Sequence, residues 1–207
     1  MLKLWGRANS SNVMKVIWLL EELGLPYERV DVGGPFGGTA TPAYRAMNPT
    51  GLVPTLEDGG FAMWESNAIL RYLCDAHAPG TGLWPQPPKQ RAEIDRWLDW
   101  EQTMPTRPMS TVFHSLVRLP PEKRDPAAIA AAIAQATPMW TMLDAQLADR
   151  PHVAGTAFTL ADIALGPLVH RWLNLPITRP DLPHLAAWYQ RLLGRPACVA
   201  HIAQPMS

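Results

Sequence analysis

The chain has 207 residues, 47% of them apolar and nine of them Trp, which is enough core for one large domain or two small ones and excludes a disordered chain. Lys plus Arg number 18 and Asp plus Glu number 18, without a block of like charge, which argues against nucleic acid and against an anionic membrane surface as partners. No apolar run approaches the ~20 residues of a membrane span, and the start, MLKLWGRANSSN, has too short an apolar core for a signal peptide.

Leu2 to Trp5 alternates apolar and polar residues and predicts a short strand. Ser10-Ser11-Asn12 offers caps to a helix from about Val13 to Leu23, closed by Gly24 and Pro26. Tyr27 to Val32 alternates again as a second strand. A glycine-rich loop, GGPFGG, follows, and Thr41-Pro42 opens a short helix through Met47. Pro54 to Glu57 and Phe61 to Met63 flank Asp58-Gly59-Gly60, a hairpin signal. Ser66 caps an amphipathic helix with Ile69, Leu70 and Leu73 at helical spacing.

Gly80 to Pro88 lacks periodicity and suits an interdomain connection. Beyond it no strand is predicted. Helices are expected over Arg91 to Glu101, then Met109 to Leu119 after a kink or break at Pro105 and Pro108. Pro126 to Leu147 is Ala-rich and helical, and Leu182 to Leu193 is the last long helix. Thr159-Leu-Ala-Asp162 is a capping-box-like start to a helix reaching about Leu173, so Thr159 and Asp162 are read as structural. The chain's 22 prolines punctuate these helices. The order gives an α/β domain over 1–80, a linker over 81–88 and an all-α domain over 89–207.

Cys74 and Cys198 lie far apart without CxxC or zinc-type spacing, and the six His show no HxH or HExxH pattern. Structural thiols in a reduced, cytoplasmic protein without a metal site are the expectation.

The stretch NPTGLVPTLEDGGFAMWES, Asn48 to Ser66, contains a contradiction. Leu52 to Leu56 reads as a buried strand, yet Pro54 has no amide for a sheet ladder. The alternative is a cis Val53-Pro54 bond, kept where a particular backbone path is wanted. A kinked chain with unpaired backbone groups just before a strand is read as ligand-binding.

GLVPTLEDG followed by WESNAILRYL resembles the glutathione-binding half of the cytosolic glutathione S-transferases. AGTAFTLADIALG, Ala154 to Gly166, resembles the capping motif of their helical half, and SSNVMKVIWLLEELGLPYE completes a likeness over nearly the whole chain. The resemblance implies a thioredoxin-like N-terminal domain, an α-helical C-terminal domain and a homodimer. It also implies that glutathione is the co-substrate. The backbone of Val53, before cis Pro54, would pair with its cysteinyl unit, as a strand adds to a sheet edge. Glu65 and Ser66 would hold the γ-glutamyl end, which carries both an ammonium and a carboxylate.

By the same resemblance the chemistry lies at Ser10-Ser11-Asn12, where a hydroxyl or amide donates to the glutathione thiolate. Theta-class enzymes aligned on Gly24 place their catalytic serine at Ser10. The trio also looks like the Thr-Pro-Asn of nu-class bacterial members, which gives Asn12 a share, with Ser11 the third candidate. Neither tyrosine nor cysteine stands near this point, against tyrosine-type and mixed-disulfide chemistry. Many relatives carry Lys or Arg where this chain has Leu52; Lys15, Arg45 or the amides of Gly33 to Gly38 are the possible substitutes.

The family's electrophile pocket lies between the Ser10 region and the kinked helix of the second domain. That analogy implies Met104, Arg107, Pro108 and Phe113, with Trp172 a further candidate, around a small hydrophobic electrophile. Ordinary packing is the alternative for Met104 and Phe113, and a surface ion pair for Arg107. The implied activity is glutathione conjugation in detoxification. The alternatives are a glutathione-dependent disulfide reductase, favoured if Asn12 dominates, and a non-catalytic ligand-binding relative.

Overall fold

The alternating N-terminal run forms β1 (Leu2–Trp5), with Leu2 and Leu4 buried and Lys3 and Trp5 half-buried. The structure is a computed structural model that describes residues 1–206. Its chain divides into two compact units, the first Met1–Trp84 and the second from Pro85 onward.

In the first unit β1 pairs in parallel with β2 (Tyr27–Val30), Leu2 opposite Tyr27. A parallel pair needs a crossover, and α1 (Ser11–Glu22) supplies it. On the other side β1 runs antiparallel to β3 (Thr55–Asp58), with Leu4 opposite Leu56, both fully buried. The Gly59-Gly60 turn then returns β4 (Phe61–Trp64), giving the order β2-β1-β3-β4. Strand β3 begins at Thr55, so Pro54, which has no amide to donate, stays outside the ladder. The second strand stops at Val30, short of the expected Val32.

After it, Gly34–Phe36 makes one 3-10 turn inside the stretch expected as loop. Next comes α2 (Pro42–Met47), where Thr41 Oγ1 accepts from the Tyr44 amide at 3.3 Å. Helix α3 (Ser66–His77) buries Ile69, Leu70 and Leu73 and packs on α1, which buries Val13, Val16, Ile17 and Leu20. A four-stranded mixed sheet with these helices is the thioredoxin-like arrangement the sequence led us to expect.

The second unit is helical: α4 (Pro88–Thr103), α5 (Thr106–Phe113), α6 (Pro126–Gln146), α7 (Leu160–Asn174), α8 (Pro183–Leu192) and α9 (Pro196–His201). The break between α4 and α5 falls at Met104-Pro105. Pro108 sits in the first turn of α5, where its missing amide costs no intrahelical bond. His114–Arg118 continues α5 as a π-type turn, ended by Arg124 donating to the carbonyls of Leu116 (2.9 Å) and Leu119 (3.2 Å). Short α9, with Pro196 at its start, was not anticipated.

Helix α7 is buried along most of its length, from Leu160 to Trp172, and α4, α5 and α8 all pack on it. A chain of indoles crosses the bundle: Trp97 to Trp100 at 5.3 Å, Trp100 to Trp140 at 6.2 Å and Trp140 to Trp172 at 6.0 Å between ring centroids. Trp172 is fully buried in this aromatic core. At the start of α7, Asp162 Oδ2 accepts from the Thr159 amide (2.9 Å), while Oδ1 accepts from Val153 N (3.1 Å) and Trp188 Nε1 (2.7 Å). The expected cap therefore also ties three separate segments together.

Candidate functional site

The first unit gathers its candidate residues from three places: the entry to α1, the Val53-Pro54 turn and the entry to α3. The Val53-Pro54 peptide is cis. Tyr44, Asn48 and Thr55 hold this turn from within. Tyr44 Oη donates to the Leu52 carbonyl (2.6 Å), as does Asn48 Nδ2 (3.0 Å). Thr55 Oγ1 in turn accepts from Asn48 Nδ2 (2.9 Å) and lies 2.8 Å from Tyr44 Oη. Burial raises the Tyr44 phenol above its usual pKa, which keeps it a donor.

Gly6 brings the turn to α1. A Cβ at Gly6 would lie 2.5 Å from Val13 Cγ2 and 3.3 Å from Val53 Cβ, so only glycine lets the chain pass between them. Val53 is thus close to the helix turn that begins with Ser10, Ser11 and Asn12, all three half-buried.

Ser10 takes the N-cap position of α1, at φ −87° and ψ 126°, with no side-chain cap bond. Its carbonyl accepts from Met14 N at 2.8 Å. The hydroxyl is therefore not spent on capping, unlike the ordinary cap its sequence also suggested. The first-turn amides and the helix dipole at this end favour an anion.

At α3 the sequence expectation needs correction. Ser66 is not the cap but the first helical residue, and Glu65 holds the N-cap position without a side-chain cap bond. Glu65 has φ +72°, the one non-glycine in the left-handed region among the described residues. A conformation of this kind costs about 1–3 kcal/mol and collects at ligand sites. Glu65 is exposed and Ser66 buried, so charge and hydroxyl lie on successive residues of one bend.

The possible substitutes for a cation at position 52 go to different places. Leu52 itself is 66% exposed. Arg45 donates to the Pro49 carbonyl at 2.6 Å and lies across Gly51, where a Cβ would come within 2.5 Å of its guanidinium carbon. Lys15 is fully buried, with Nζ 3.4 Å from Ser66 Oγ. The glycine-rich loop packs under Arg7: a Cβ at Gly34 would sit 3.2 Å from Arg7 Cδ and Nε. Sequence reasoning passed over Arg7, although the Gly33-Gly34 pair was a signal that some side chain needed the room.

In the second unit Met104 and Arg107 are exposed, whereas Pro108 and Phe113 are buried. The Phe113 ring is covered by the Arg171 guanidinium at 3.7 Å from its centroid, with Arg118 at 5.5 Å, so this side chain is part of a cation–π cluster. A cleft of about 430 Å³ in this unit is lined by Leu116, Ile129, Ile133, Pro176 and Ile177, among others, and by none of the four candidates. Cys74 and Cys198 are buried thiols, and no group of three or more His, Cys, Asp or Glu among the described residues could hold a metal ion.

The family model of the glutathione S-transferase N-terminal domain matches residues 9–76, and that of the C-terminal domain matches residues 126–191. Glutathione S-transferase GstB of Escherichia coli (strain K12) is 41% identical over 209 aligned positions, covering 100% of both chains. Glutathione S-transferase 3 of Zea mays is 34% identical, over 95% of this chain and 90% of that one. Among solved structures, the theta class glutathione S-transferase of Xanthomonas axonopodis pv. citri with glutathione bound is 47% identical. It superposes with a TM-score of 0.95, covering 100% of this chain and 99% of the other. With both domain models matched in order and full-length identity at this level, the chain belongs to the glutathione S-transferase family.

Proposed function

We propose that this glutathione S-transferase binds glutathione along the Val53-Pro54 turn, holds its sulfur as a thiolate at the start of α1, and transfers it to a small hydrophobic electrophile. The observation that carries the reading is Ser10, a cap-position serine whose hydroxyl makes no cap bond. Serine is no base near neutrality, so its part is to donate to sulfur. Lowering a thiol from about 8.5 to about 6.5 needs roughly 2.7 kcal/mol. A hydrogen bond to a charged group supplies about 1.5–3 kcal/mol, and a helix N-terminus adds about 0.3–1. These two terms suffice without a cationic side chain at the sulfur.

Val53 offers main-chain groups to the cysteinyl unit, Glu65 and Ser66 take the γ-glutamyl end, and Asn12 and Ser11 are the further donors at sulfur. Met104, Arg107, Pro108 and Phe113 contribute to electrophile binding. Pro108 and Phe113 act chiefly through packing, since both are buried. The protein works as a cytoplasmic homodimer in detoxification. Light scattering on the purified protein tests the dimer.

Addition of glutathione to the protein near neutral pH should raise the ultraviolet thiolate band in proportion to bound ligand. Conjugation to a chlorinated nitrobenzene should follow. Saturable binding without that band would leave glutathione bound as a thiol and would remove this mechanism.

A further inference from the structure

Lys15 lies on α1, one turn beyond Ser11, and is fully buried together with Ser66, the first residue of α3. Its ammonium donates to Ser66 Oγ at 3.4 Å across 51 residues of sequence. A serine hydroxyl owns one hydrogen and two lone pairs, so alone it can accept from a ligand or donate to it. An ammonium has only hydrogens to offer. Facing Lys15, the Ser66 oxygen is committed to accepting there, and its own hydrogen is left to point elsewhere.

We propose that Lys15 is a positioning residue that makes Ser66 a donor toward the α-carboxylate of a γ-glutamyl group. This rests on the glutathione reading above and adds the orientation of the ligand's charged end. That end carries an ammonium and a carboxylate on one carbon, and a serine by itself does not choose between them. Lys15 and the α3 N-terminus are both positive, so the carboxylate turns to Ser66. The exposed Glu65, one residue earlier in the chain, then receives the ammonium. Lys15 thus fixes the γ-glutamyl end and does not replace the cation missing at Leu52.

Calorimetry with two ligands tests this: glutathione, and γ-aminobutyryl-cysteinyl-glycine, which lacks only the α-carboxylate. The unaltered protein should prefer glutathione by about tenfold or more, the value of a hydrogen bond to a charged group. Lys15→Met should weaken glutathione by about tenfold while the analogue changes by less than about threefold, and KM should rise with kcat nearly constant. Lys15→Arg, which keeps a cation, should retain most of the preference. In a Ser66→Ala background Lys15→Met should add less than about threefold, because its partner is gone.

Equal weakening of both ligands by Lys15→Met, or the full loss in the Ser66→Ala background, overturns the proposal. So does an unaltered protein that binds both ligands alike, a measurement needing no variant to fold; in that case glutathione binding itself stands. If the unaltered protein binds neither, it is the glutathione reading that fails.

Discussion

Tyr44 and Thr55 meet hydroxyl to hydroxyl at 2.8 Å, on two sides of the Val53-Pro54 turn, and Asn48 Nδ2 bonds to both Thr55 Oγ1 and the Leu52 carbonyl. Three side chains from α2, its C-cap and β3 therefore fix the main chain that would read the cysteinyl unit. Asn48→Ala leaves a buried hydroxyl and a carbonyl short of a partner, and should cost about 1–3 kcal/mol of stability. Denaturant unfolding measures that cost, and glutathione affinity should fall with it, because the turn proposed to dock the ligand loosens. Tyr44→Phe should act in the same direction and less strongly, since Asn48 keeps both of these bonds and also accepts from Thr50 N (3.1 Å) and Thr50 Oγ1 (2.6 Å) through its Oδ1.

Ser10→Ala should raise the pKa of bound glutathione thiol and lower kcat/KM by about tenfold to a hundredfold, the value of a hydrogen bond to a charged acceptor. Titration of the thiolate band in each variant separates the three candidates. Asn12→Ala should shift the thiol less, and Ser11→Ala least. A larger shift from Asn12→Ala would move the principal donor to the amide.

Glu65→Gly separates strain from chemistry. Glycine accepts φ +72° without steric cost, so the variant should unfold later, by roughly 1 kcal/mol. Glutathione affinity should nevertheless fall, since the carboxylate proposed to receive the ligand ammonium is removed. A melting curve and a binding isotherm on one preparation show both. A variant that gained stability and kept its affinity would make Glu65 a surface charge.

Asp162→Ala should be a stability variant. It strips partners from the Thr159 and Val153 amides and from the Trp188 indole, all around a carboxylate with no exposure. A loss of about 3 kcal/mol or more follows from leaving several buried donors unpaired. Expression yield and denaturant midpoint should drop, while the glutathione affinity of the folded fraction stays the same. Equal stability with lost activity would make Asp162 a functional group instead.

His170 gives the second unit a pH dependence. Its Nδ1 lies 2.6 Å from Tyr189 Oη and its Nε2 3.2 Å from the Gln204 carbonyl, so the neutral ring donates from Nε2 and accepts from the tyrosine. Burial, then the charge of Arg171, pull the imidazole below its usual 6.5, against the Gln204 bond, which raises it. The folded state thus binds fewer protons than the unfolded chain. Stability should be full above about pH 6.5 and fall on acidification toward the folded pKa, with a slope of at most ~1.4 kcal/mol per pH unit for this one proton. Melting curves between about pH 7.5 and about pH 5.5 should show the decline, and His170→Gln should flatten it.

Local chemistry wrote much of this protein legibly. Pro54 cannot donate to a ladder, and β3 runs Thr55–Asp58, one residue later at each end than the Pro54 to Glu57 strand expected from the sequence. Gly59-Gly60 turned the hairpin, and the Thr159–Asp162 spacing marked the start of α7. Such signals depend on backbone donors, allowed φ and side-chain period, which act over a few residues. The likeness of three ordered motifs then carried the family.

Tertiary structure decided the partners. Lys15 meets Ser66 across 51 residues, and Asp162 reaches Trp188 across 26, because helices pack by shape and not by sequence distance. Trp172, a pocket candidate by analogy, joins an aromatic core, and Ser66 gives its cap position to Glu65. A residue's type states what it can donate, accept or bury. Which atom takes up that offer is set only when separate elements close on one another, and that contact energy is absent from any short window of the chain.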